Sequence, residues 1–190
     1  MLNVIVVNHG NYLGRGDDYV NRLRAGIHRH LLHPYKFHVI TDVPDVTGWW
    51  AKLAMFQPGR FEGRCLFFDL DTIITGSLDH MSRYDGPFAM LQDFYHPELL
   101  ASGAMMWTAG EADHIWTKWD EAGRPAFHQR GDGGWIETMM PNAARLQTLF
   151  PRQFVSFKAH CAEGIPPNAR AVCFHGLPRP HVLSDLMAHW

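Results

Sequence analysis

The chain has 190 residues, 46% apolar and 19% charged, with 17 Lys plus Arg against 19 Asp plus Glu. That is the balance of a single globular domain spanning residues 1–190, long enough to fold without disulfides or a structural metal. A formal charge of −2 argues against a nucleic-acid partner, and three cysteines argue against a disulfide framework and for a reducing cytoplasm. No run approaches the roughly 18 apolar residues of a membrane span.

Leu2 to Asn8 is a nearly continuous apolar run, expected as a buried parallel strand. A glycine-rich loop follows to Gly16. Asp17 and Asp18 then open a helix whose Tyr19, Val20, Leu23, Ile27 and Leu31 share one stripe. Phe37 to Thr41 reads as a second strand. This βαβ start predicts an α/β fold with a mostly parallel central sheet flanked by helices. Gly48 to Phe56 reads as a short helix stopped by Pro58, with Trp49 and Phe56 expected in the core. Arg64 to Phe68 is the next strand, and Phe88–Leu91 and Ala104–Trp107 are further candidates. Thr108 to Glu111 has capping-box spacing before a helix through Ile115, Trp116 and Trp119. Asp132 stands where an N-cap would precede the helix Trp135–Met140. Phe154–Phe157 and Ala171–Phe174 read as late strands, and a proline-rich tail follows Pro178.

Asp69 and Asp71 are the most informative pair. They stand directly after an apolar strand, Cys65 to Phe68, at the strand end where open α/β sheets bind ligands. Spaced by one residue, both carboxylates can serve one divalent cation, and their hard oxygens suit Mg²⁺ or Mn²⁺. Such an ion neutralises a diphosphate leaving group. The plainer reading is a polar strand-to-loop turn.

The run Leu66-Phe67-Phe68-Asp69-Leu70-Asp71-Thr72-Ile73-Ile74 resembles the Asp-x-Asp segment of GT-A fold glycosyltransferases, most closely the glycogenin-like family-eight type. Further blocks follow in the same order: Asn11-Tyr12, Thr41-Asp42, Trp50-Ala51-Lys52-Leu53, Ser102-Gly103-Ala104-Met105, Gly131-Asp132-Gly133, and Phe174-His175-Gly176-Leu177-Pro178-Arg179. The resemblance spans residues 2 to about 181. It implies a single Rossmann-like GT-A domain and metal-dependent transfer from a nucleotide-diphosphate sugar, a UDP-sugar, to an unidentified glycan, lipid-linked sugar or protein.

It implies roles as well. Asp69, Asp71 and His175 would hold Mn²⁺ or Mg²⁺. Asn8, Asn11, Tyr12, Asp42, Lys52, Asp69, Leu70, Ser102, Gly103, Gly176 and Arg179 would contact the donor, and Asp132 and Lys52 would serve catalysis. Each has a structural alternative: Tyr12 as loop packing, Asp42 as a turn residue before Pro44, Arg179 as a surface side chain. Three departures stand out. Ala101 replaces the usual Asn, Gly133 the usual Gln, and the spacing to Arg179 makes Cys173 a rival to His175. His160, Cys161, Cys173 and His175 also admit a zinc reading, although their spacing is not that of a zinc finger. Two other functions stay open: a degenerate nucleotide-sugar-binding domain, and a haloacid-dehalogenase-like phosphatase using Asp69 as nucleophile.

Overall fold

The computed structural model describes residues 1–126 and 128–183. Strand β1 (Leu2–Val7) leads through the loop and a short 3₁₀ turn (Tyr12–Gly14) into α1 (Gly16–His30), which returns to β2 (Tyr35–Ile40). A 3₁₀ helix (Gly48–Phe56) precedes β3 (Arg64–Phe68) and the two-residue β4 (Ile73–Ile74). β5 (Phe88–Gln92), β6 (Leu100–Thr108), α2 (Asp113–Glu121) and α3 (Gly131–Met139) follow. The chain continues through β7 (Ala144–Arg145), α4 (Leu146–Leu149), β8 (Phe154–Ser156), α5 (Phe157–His160) and β9 (Ala171–Cys173).

The main sheet has the order β2-β1-β3-β6-β5-β7. β1 pairs parallel with β2 and β3, β6 runs against both β3 and β5, and β7 is parallel to β5. Only β6 is therefore reversed. The sheet is buried on both faces, which explains the unbroken apolar runs. Leu2, Val4 and Val6 of β1 and Leu66 and Phe68 of β3 pack on the α1 side. Ile5, Cys65 and Phe67 alternate onto the side of the 3₁₀ helix, α2 and α3. The α1 stripe is buried as its spacing predicts.

Several expectations are corrected. The late strands, which the sequence assigns to no sheet, join β4 in a second sheet of three strands, β4-β9-β8, and β8 stops at Ser156 and β9 at Cys173. Gly48–Phe56 is 3₁₀ rather than α. The helix after Thr108 starts at Asp113 with Ala112 as N-cap and no side-chain cap bond, so no capping box forms. Asp132 is not an N-cap either. Arg130 takes that position, and Asp132 lies inside the first turn of α3. Trp49 is not core: it is 62% exposed, while its neighbour Trp50 is 4% exposed and stacks on Trp119. No described helix is long and apolar enough to cross a membrane.

Candidate active site

β3 ends at Phe68, and the chain leaves the sheet as Asp69-Leu70-Asp71. All three line a pocket of about 380 Å³ at the carboxyl ends of β1 and β3. Tyr12, Lys52, His175, Gly176 and Arg179 line the same pocket, so eight residues expected at the site meet there. Val7, His9, Gly48, Trp49 and Phe174 complete the lining. Sequence reasoning missed these five. For Val7 and His9 the signal was available, since they end the strand whose carboxyl end faces the ligand.

Each acid has its own cation. Lys52 Nζ lies 2.9 Å from Asp69 Oδ1 and 3.2 Å from Asp132 Oδ2, and it donates to Ser102 Oγ at 3.1 Å. The Ser102 hydroxyl in turn donates to Asp132 Oδ2 at 2.8 Å. Arg179 donates to Asp71 Oδ2, which also accepts the Tyr12 hydroxyl at 2.9 Å. The Arg179 guanidinium stands 5.6 Å from the centre of the Tyr12 ring.

Burial raises the Asp69 carboxyl to about 7 against the pull of Lys52, and the charge of Asp71 adds to the rise. Burial also raises Asp71, with Arg179 opposing. Burial works against the Lys52 ammonium, but Asp132 and Asp69 outweigh it and hold Lys52 charged. Tyr12 is raised by burial and by Asp71, so its hydroxyl stays protonated and donates.

Other expected residues brace the pocket from behind. Buried Asn8 accepts from the Tyr12 backbone N–H at 3.2 Å and donates to Asp17 at 3.3 Å. Asn11, at φ +53, accepts from the Gly16 N–H at 2.9 Å. Both shape the loop carrying Tyr12. Asp42 follows β2, is exposed and is not part of the pocket lining. Ser102 and Gly103 line a second cavity of about 250 Å³, which shares Asp69, Phe174 and His175 with the first. A Cβ on Gly103 would stand 3.2 Å from Leu91 and 3.8 Å from Asp69, so glycine keeps this floor low.

His175 is at the pocket, but its Nε2 bonds the buried Ser156 Oγ at 2.7 Å. Burial, then Lys158, lowers its proton affinity. Cys173 is buried in β9, where burial raises its thiol pKa. Among the described residues no three His, Cys, Asp or Glu side chains gather into a metal-holding group. The zinc reading of His160, Cys161, Cys173 and His175 thus has no assembled site. The bond to Ser156 engages Nε2 and leaves Nδ1 of His175 as the nitrogen that could serve an ion beside Asp69 and Asp71.

No protein-family model and no curated protein sequence matches the chain. Solved structures do. The glycosyltransferase GlyE of Streptococcus pneumoniae TIGR4 superposes with a TM-score of 0.71 at 15% identity, over 94% of this chain and 55% of that one. The galactosyltransferase LgtC, in complex with donor and acceptor sugar analogs, gives a TM-score of 0.67 at 10% identity, over 99% of this chain and 91% of that one. The bifunctional glycosyltransferase WbbM gives 0.68 at 11%, over 94% and 46%. The chain spans about half the length of GlyE and WbbM and nearly all of LgtC. The chain shares the GT-A-like fold of these glycosyltransferases.

Proposed function

We propose that the protein is a glycosyltransferase that takes a sugar from a UDP-sugar, with Mn²⁺ or Mg²⁺ held at Asp69 and Asp71. The observation that carries this reading is the pair of carboxylates after β3, on the wall of one pocket, flanked by Lys52 and Arg179. The neighbours are glycosyltransferases, and one was solved with donor and acceptor sugar analogs. The donor set fits the ion: hard oxygens suit Mn²⁺ and Mg²⁺, and burial has raised both carboxyls, a cost that a divalent cation relieves. When bound, the ion supplies charge neutralisation to the diphosphate.

The chain's own groups do the rest. The planar fork of Arg179 suits phosphate oxygens, and Lys52 adds a fixed positive charge beside the acids. Ser102 and Asp132 anchor Lys52, so this charge needs no reorganisation during reaction. Tyr12 orients Asp71 through its hydroxyl. The second cavity, which shares Asp69, Phe174 and His175 with the first, would receive the acceptor: a glycan, a lipid-linked sugar or a protein.

Calorimetry with UDP tests the reading. Affinity should fall at least about tenfold when Mn²⁺ is replaced by EDTA, and equal affinity would refute the cation. Asp71→Asn should weaken metal-dependent binding more than Asp42→Asn, since Asp42 is outside the pocket. Hydrolysis of UDP- and GDP-sugars with Mn²⁺ separates an enzyme from a binding module. A phosphoenzyme on Asp69 would support the phosphatase alternative instead.

A further inference from the structure

Trp49 is the one tryptophan among the described residues that is largely open to solvent, and it forms part of the pocket wall. The core contact of the Gly48–Phe56 helix comes from the neighbouring Trp50, which stacks on Trp119 at 5.9 Å with an interplanar angle of 4°. The position of Trp49 follows from the 3₁₀ geometry of that helix. Side chains three residues apart eclipse in such a helix, so Trp49 stands over Lys52. Its indole nitrogen faces α3: a Cβ on Gly131 would meet Trp49 Nε1 at 3.1 Å, and Gly131 is at φ +60, where glycine is favoured. Trp49 is thus held between the 3₁₀ helix and the start of α3. Lys52 and Asp69 line the same pocket, and Lys52 is fixed there by its contacts with Asp69, Asp132 and Ser102.

An apolar plane beside carboxylate and ammonium groups suits a ring with a flat face and a polar rim. A pyranose has an apolar face of C–H bonds and a rim of hydroxyls, whereas a phosphate has no face to offer the indole. Resting on the proposed donor reading, we propose that Trp49 is the platform for the sugar ring of the donor and selects hexopyranosyl donors. The indole covers the apolar face, while Lys52 and Asp69 on the same pocket wall take the hydroxyls.

The test uses UDP, UDP-glucose, UDP-galactose and UDP-N-acetylglucosamine, titrated with Mn²⁺ into wild type, Trp49→Ala and Trp49→Phe. Because Trp49 is exposed, thermal midpoints of the three proteins should coincide. At least one UDP-hexose should bind Trp49→Ala about tenfold more weakly than wild type, with UDP changed by less than about twofold and Trp49→Phe recovering most of the loss. The same UDP-hexose should alter tryptophan emission in wild type and not in Trp49→Phe. Equal weakening of UDP and UDP-hexose, or no weakening of either, overturns the assignment while leaving the donor reading intact. A wild type that binds no uridine nucleotide overturns the donor reading, and this proposal with it.

Discussion

On the proposed reading, Arg179 and a divalent cation would compete for the Asp71 carboxylate. Asp71 Oδ2 already accepts from the Arg179 guanidinium and the Tyr12 hydroxyl. A cation bound there alone would face the Arg179 charge, whereas a cation arriving with a diphosphate would offer Arg179 a new partner. Arg179→Gln should therefore tighten Mn²⁺ alone by about tenfold and weaken UDP in the presence of Mn²⁺. Calorimetry of each ligand against both proteins reads the two opposite signs. Losses of both affinities together would mean that Arg179 only supports the fold. These charges were readable as residue types, and the pairing was not. Arg179 and Asp71 are 108 residues apart, and only the tail's path across the pocket joins them. Asp132 shows the same limit. An acid near a helix start suits both a cap and an interior first-turn site, and its contacts with Ser102 and Lys52 decide between them.

Elements carry the site through close approaches. The loop between β1 and α1 passes Asn8 so tightly that a Cβ on Gly16 would stand 1.9 Å from Asn8 Oδ1. Gly16→Ala should push Asn8 from its bond to the Tyr12 N–H, costing about 1–3 kcal/mol of stability and weakening UDP binding through Tyr12. Urea unfolding and calorimetry measure both, and an unchanged protein would refute this account of the loop. The elements that periodicity revealed are the long ones: β1, α1, β3 and β6 each present several turns or alternations of apolar residues. β4 has two residues and β8 and β9 three, too few to display which sheet they join. Their apolar character was visible. Their separation into a second sheet depends on β4 pairing with β9 across about a hundred residues. The 3₁₀ winding of Gly48–Phe56 was equally hidden, since i and i+3 spacing suits both helix types.

At the scale of the molecule, the edge of the main sheet makes stability sensitive to pH. His38 on β2 bonds Asn3 Oδ1 at 2.9 Å and meets the Phe61 ring at 4.9 Å. Burial, with Lys36 and Arg60, lowers its proton affinity. A base lowered by folding holds fewer protons folded than unfolded. Its contribution is thus full above the unfolded value of about 6.5 and is lost as pH falls below it. Urea midpoints measured from pH 7.5 to 5 should fall more steeply for wild type than for His38→Gln. Parallel profiles would remove His38 from the account. The α/β class and the place of Asp69 after a buried strand follow from features visible in the chain. Two cores, one on each face of the sheet, are what the double-sided apolar strands require.

The wall of Asp69, Phe174 and His175 separates two cavities of about 380 and 250 Å³. Two molecules can therefore be present at once, one on each side of a single carboxylate, and neither needs to vacate its place for the other to arrive. On the proposed reading, this arrangement would suit a ternary complex better than a shuttle in which the first product departs before the second reactant enters. The order of arrival then becomes a property of these three side chains, because whichever molecule comes first sets the surface that the second one meets.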